Sequence, residues 1–231
     1  VRKPIRVIPH ALDVPDEQAG GWSGVGSPVP LESWWEQPTW TEEHRVLTDG
    51  TYMLRKNLPA AVEAFYRAFA AGPVYGGGRA DAAMILRTRY FKPMHRFLLM
   101  GEIEGVRARL RVEGYSRFPP VAVSTQLLDW DELWRLHAWA TVYLTTAYAE
   151  GVGYPLIFAG ALATPIVATD CPGHRDVAPQ AHFIESGPTT PGSMEKWDPI
   201  ALLDRCEHCG RRWGVAHIHD EDPWSRPSAP P

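Results

Sequence analysis

From residue 45 onward the chain alternates between short apolar runs and longer stretches whose apolar positions recur three and four apart. RVLTDGTYM (45–53), AAMILRT (82–88), PVAVST (120–125), TVYLTT (141–146) and TPIVAT (164–169) have strand length and are rich in apolar and β-branched residues; AHFIES (181–186) is a further candidate. Between them, NLPAAVEAFYRAFAA (57–71) places Val62, Phe65 and Phe69 on one helical stripe, and a second helical stretch spans roughly 91–112. DWDELWRLHAWA (129–140) opens at Asp129, a residue suited to an N-cap, and GYPLIFAGALA (153–163) carries proline in its first turn. Strands alternating with helices of these lengths predict βαβ units and an α/β fold with a mostly parallel sheet. No internal repeat is visible.

The flanks read differently. Residues 1–14 look like a short β-like entry ending in a turn. Residues 15–44 combine Gly, Pro and Ser with Trp22, Trp34, Trp35 and Trp40, and predict an irregular surface excursion. Its tryptophans either pin a long loop onto the domain or form a stacking platform for a sugar or a partner. Residues 220–231 have the composition of a disordered tail.

Composition narrows the function class. With 45% hydrophobic and 22% charged residues the chain reads as a soluble globular protein, and its net charge of −4 supplies no basic face for nucleic acid. An anionic small molecule stays open, because helix N-termini bind phosphate whatever the global charge. Three cysteines make no disulfide framework. No signal segment opens the chain, and YPLIFAGALATPIVAT (154–169) is too short and proline-broken to span a bilayer. These features predict a cytoplasmic setting, with peripheral membrane association left open. The chain begins with Val rather than Met, which suggests a fragment or a processed product.

AEGVGYP (149–155) carries the candidate chemistry. It follows a strand and opens a helix, the position where open α/β sheets bind ligands. Gly151 and Gly153 let the backbone approach a ligand closely, and the first-turn N–H groups point toward it. A phosphate suits such a turn. Glu150 does not suit a phosphate, so it should face a neutral, hydroxyl-rich group; together they suggest a phosphate-linked sugar.

These residues resemble the C-terminal, donor-binding domain of the retaining GT-B glycosyltransferases of "group 1" (family 4-like), over roughly residues 5–205. VIPHALDV, LRKNLPAAVEAF, LLDWDELWRLHAWATVYLTT and AEGVGYPLIFAGALATPIVATDCPGHRDV carry the likeness in the family's order. The resemblance implies a Rossmann-like domain over 1–205, forming half of a GT-B fold. It further implies transfer of a sugar from a nucleotide-diphospho-sugar, with retention, to an acceptor that is a glycan, a lipid or a small molecule. By the same resemblance Lys56 contacts the donor diphosphate and Gly151, Val152, Gly153 and Tyr154 offer backbone N–H groups. Glu150 hydrogen-bonds sugar hydroxyls, and Lys56 and Glu150 are the catalytic candidates. Charge stabilisation of the leaving diphosphate would need no cofactor.

Two departures from the family pattern stand out. Where the family commonly carries a second, ribose-binding glutamate, this chain has Phe158, which the resemblance turns toward the ribose and makes a donor-binding candidate. Its usual arginine after the first loop's glycine is Thr51, following Gly50, with Arg55 the candidate to compensate. Arg87 is a further candidate for an anionic ligand. The family's acceptor-binding domain has no counterpart in this sequence, which implies a separate one. A non-catalytic sugar-nucleotide-binding relic, or an interaction module, is the alternative.

Beyond the last strand, residues 206–219 hold Cys206 and Cys209 with knuckle spacing, then His217 and His219. Two thiolates and two imidazoles could complete a tetrahedral structural zinc site. A redox-active pair and plain reduced cysteines are the other readings.

Overall fold

The computed structural model describes residues 26–31, 36–73, 81–89 and 94–185. They fall within one unit, Val1–Ser186; the second unit, Gly187–Pro231, lies outside the described residues. Among the described residues six strands run in parallel: β1 (His44–Asp49), β2 (Ala82–Arg87), β3 (Val121–Ser124), β4 (Val142–Thr145), β5 (Ile166–Thr169) and β6 (His182–Ile184). Their order in the sheet is β3-β2-β1-β4-β5-β6, so the direction of winding reverses between β1 and β4. This is a Rossmann-like α/β fold, and the expected parallel sheet is present. Parallel strands covered on both sides need apolar residues on both faces. β2 shows this, with Ala82 to Leu86 all buried.

Among the described residues five α-helices lie between the strands: α1 (Leu58–Phe69), α2 (Met94–Val112), α3 (Trp130–Trp139), α4 (Tyr154–Ala161) and α5 (Pro172–Val177). Right-handed crossovers place α1 and α2 on one face and α3 to α5 on the other. The helix contacts fall into the same groups: α1 with α2, α3 with α4, and α4 with α5. In α1 the buried stripe is Leu58, Ala61, Val62, Phe65 and Tyr66, with Phe69 only partly covered. Asp129 does cap α3. Its carboxylate accepts from the Glu132 N–H at 2.8 Å while Glu132 accepts from the Asp129 N–H at 2.8 Å, a reciprocal capping box.

Under α3 and α4 the core gathers Leu47, Ile85, Tyr143, Trp139, Leu156 and Ala159. Trp40 packs edge-on against Trp139, with ring centroids 6.2 Å apart, so this tryptophan pins its segment to the domain. Trp22, Trp34 and Trp35 lie outside the described residues, as does the 220–231 tail. Among the described residues no helix is long and apolar enough to cross a membrane.

Two elements differ from expectation. β1 stops at Asp49 rather than Met53, and the chain bends into a 3₁₀ turn, Leu54–Lys56. The Gly50 and Tyr52 N–H groups still bond to the carbonyls of Arg87 and Arg89, so sheet-like pairing outlasts the strand. The short helix α5 was not anticipated.

Candidate functional site

Ligand sites in open α/β sheets lie where neighbouring loops part, beyond the strand ends at the winding reversal. Here those are the loops after β1 and β4. The first runs from Gly50 through the 3₁₀ turn to Asn57, whose φ of 48° puts it in the left-handed region as it hands over to α1. The second runs from Thr146 to Gly153. Backbone and side chain stitch the two together. Tyr148 N–H donates to the Arg55 carbonyl at 2.8 Å, and Thr146 Oγ1 donates to the Asn57 carbonyl at 2.7 Å. Arg55 Nη1 donates to the Ala149 carbonyl at 2.9 Å.

This stitching brings Lys56 to Glu150. The ammonium donates to Glu150 Oε2, and Arg55 Nη1 stands 3.4 Å from the same oxygen. The Gly151 N–H donates to Oε1 at 3.2 Å. Burial alone would push the Glu150 carboxyl up. Lys56, Arg55 and the Gly151 N–H outweigh that and hold it below the usual carboxylate range. Glu150 is therefore an anion at neutral pH.

Glycine is required at two points around this turn. Gly153 caps α4 with φ of 64°, and a Cβ there would lie 2.8 Å from Leu156 Cδ1 and 3.2 Å from Glu150 Cγ. Gly173, in α5, packs its Cα against the turn from behind; a Cβ would come within 1.9 Å of the Glu150 carbonyl oxygen. Next to it His174 is fully buried, its Nδ1 2.8 Å from the Thr169 carbonyl, and Thr169 Oγ1 donates to the Ala147 carbonyl. The end of β5 and the start of α5 thus form the backing of the Glu150 loop. GHRDV was visible in the sequence, but nothing in it marked this supporting role.

The floor of the site is a buried charged group. Asp49 and Arg87 are direct register partners on β1 and β2, and Arg87 Nη1 donates to Asp49 Oδ1 at 2.9 Å. His137 Nε2 lies 3.9 Å from Asp49 Oδ2, and Tyr143 OH donates to the Asp49 carbonyl at 3.2 Å. Arg87, a candidate for an anionic ligand, therefore has its charge taken up by Asp49. Burial opposes the charge on Asp49, but His137 and Arg87 outweigh it and hold the carboxyl low.

Of the sequence candidates, Gly50, Thr51, Arg55, Lys56, Glu150, Gly151, Val152, Gly153 and Tyr154 lie on the two loops or at the start of α4. Phe158 does not join them. The residue is 4% exposed, and its ring packs on Trp134 (4.7 Å), His137 (5.0 Å) and Trp130 (5.2 Å), between α3 and α4. The ribose-facing reading of this position is therefore corrected: it is core. Among the described residues no group of three or more His, Cys, Asp or Glu could hold a metal ion. Cys206, Cys209, His217 and His219 lie outside the described residues.

No protein-family model matches the chain, and no curated protein matches it in sequence. Solved structures do match in fold. The α,α-trehalose 6-phosphate synthase of Burkholderia multivorans superposes with a TM-score of 0.51 at 15% identity, over 63% of this chain and 32% of that one. The UDP-forming α,α-trehalose-phosphate synthase of Burkholderia xenovorans gives 0.50 at 13% identity, over 63% and 34%. These are GT-B glycosyltransferases, and the likeness is one of fold. The chain spans about a third of their length.

Proposed function

We propose that this chain is the donor-binding part of a glycosyltransferase, holding a nucleotide-diphospho-sugar for retaining transfer to an acceptor bound on a separate domain. The observation that carries the reading is the meeting of Lys56 and Glu150 between two glycine-bearing loops at the winding reversal of the sheet. Lys56 would take the diphosphate as a point charge, aided by Arg55 and the first-turn N–H groups of α4. Glu150 would accept from sugar hydroxyls. As the bond to the diphosphate breaks, charge grows on the leaving phosphate, and the cations stabilise it where it develops.

Calorimetric titration with uridine, guanosine and adenosine diphosphates tests this, with an expected Kd in the micromolar to millimolar range. Lys56→Ala should weaken binding by about 1–2 kcal/mol, the scale of one hydrogen bond to a charged group. No heat with any of the three at millimolar concentration would refute the reading.

One observation favours a second reading, a sugar-nucleotide-binding module without transfer. With Phe158 buried in an aromatic cluster, no carboxylate stands at the position the resemblance assigns to ribose binding. Binding without turnover, when an acceptor domain is supplied, would select it.

A further inference from the structure

A second concavity lies away from the β1 and β4 loops, at the edge where strands begin. Ser116 to Pro120 lead from α2 into β3 there, and Glu36 approaches from the segment before β1. The cavity holds about 390 Å³ and is lined by three arginines, Arg107, Arg111 and Arg117, with Tyr115, Ser116, Phe118 and one carboxylate, Glu36.

The arginines stand in different situations. Arg107 is buried and fully engaged: it donates to Tyr66 OH and Glu104 at 2.8 Å each and to Glu36 at 2.6 Å. The same Glu36 oxygen accepts from the Val121 N–H at 3.2 Å. An oxyanion is thus already held at this wall by a guanidinium and a backbone amide, which shows the chemistry the wall supports. Arg111 lies over the Phe118 ring, 5.4 Å from its centroid. Neither Arg111 nor Arg117 has a carboxylate partner among the described residues. The other nearby acid, Glu113, is taken up by Arg67 at 2.7 Å. Arg117 also has a left-handed backbone, φ 49°, a region that favours glycine. Among the described residues, two guanidinium groups without a carboxylate partner thus stand beside an aromatic wall and a serine hydroxyl.

We propose that this cavity binds a phosphomonoester, its phosphate on Arg111 and Arg117 and its organic part against Phe118. Guanidinium forks match phosphate oxygens bidentately, and the volume lies within the range of small-molecule sites. The phosphate could belong to a free small molecule or to a lipid headgroup.

The test uses the chain carrying Lys56→Ala, so that phosphate binding at the β1 and β4 loops is weakened, and the position of the shifts tells the two sites apart. Inorganic phosphate and phenyl phosphate are titrated while backbone amide shifts are followed. Saturable shifts centred on residues 107–118, tighter for phenyl phosphate, are expected. Arg111→Gln with Arg117→Gln should weaken binding by about tenfold or more at unchanged Tm, since both side chains are exposed. Arg117→Gly, which suits the backbone there, should weaken it by itself. Absent saturable shifts, or affinity unchanged in these variants, would overturn the proposal. Phosphatidylcholine vesicles with and without phosphatidic acid separate the sources. Arginine-dependent sedimentation with the acidic vesicles assigns a headgroup, and soluble binding alone assigns a free ligand.

Discussion

Lys56 and Glu150, 94 positions apart in sequence, form an ion pair with both side chains nearly nine-tenths covered. In the free chain the cation at the mouth of the site is thus held by the carboxylate expected to read the sugar. If the site takes a diphosphate as proposed, the ligand must draw Lys56 away from Glu150 or share it.

Glu150→Gln removes that competitor while keeping the shape of the side chain. Binding of a bare nucleoside diphosphate should tighten by roughly threefold to tenfold, and preference for the sugar-bearing form should shrink, as expected when one charged partner is neutralised. Paired calorimetric titrations check both. Equal weakening for the two ligands would instead make Glu150 a support for the loop.

Phe158 belongs to the packing of α3 against α4. Phe158→Ala should cost about 3–5 kcal/mol, and Phe158→Glu several kcal/mol from burying an unpaired carboxylate. Neither should gain affinity for nucleotide. Thermal shifts with and without ligand read both effects, and a gain for Phe158→Glu would return this position to the site.

Asp49→Asn should destabilise the chain by about 3 kcal/mol, because it leaves the Arg87 charge without its partner. The pH dependence follows from the direction of the shift. The folded carboxyl lies below its unfolded value, so its contribution is fully present above about pH 4 and drains away as pH falls through the folded value. Unfolding followed between pH 7 and pH 2 should show a flatter acid limb in the variant.

Gly173→Ala touches no expected ligand contact, yet the added methyl would overlap the Glu150 carbonyl. The turn must shift, and a misplacement of about 1 Å is enough to impair a positioned site. Nucleotide affinity should fall severalfold with a smaller fractional loss of stability, seen by comparing Kd with the denaturation midpoint. An unchanged Kd would show that α5 does not set the turn.

The sheet was legible because strands buried on both faces must be continuous apolar runs, as AAMILR is. The α3 cap was legible because Asp129 and Glu132 are local partners. β1 was read too long because TYM continues the strand composition past Gly50, where the chain bends. α5 was missed because PGHRDV has no apolar period and opens with two poor helix formers. The Asp49–Arg87 floor depends on the register of two strands 38 positions apart, which no local pattern contains. Phe158 was assigned by family position, although Trp130, Trp134 and His137 at helical spacing already offered it an aromatic face.

Between β1 and β4 the register pairing is short, joining Val46 to Val142 and Leu47 to Tyr143. Side chains lengthen the seam: Thr48 Oγ1 donates to the Leu144 carbonyl at 2.9 Å, and Tyr143 OH reaches Asp49. In the described sheet, every strand on one side of this seam precedes every strand on the other in sequence. A molecule seated on Lys56 and Glu150 would act as a clasp across that join. It would raise the resistance of the whole sheet to unfolding by RT ln(1 + [L]/Kd). Hydrogen exchange at Val142 to Leu144 should slow more on ligand addition than at β3 or β6, making the seam a gauge of occupancy.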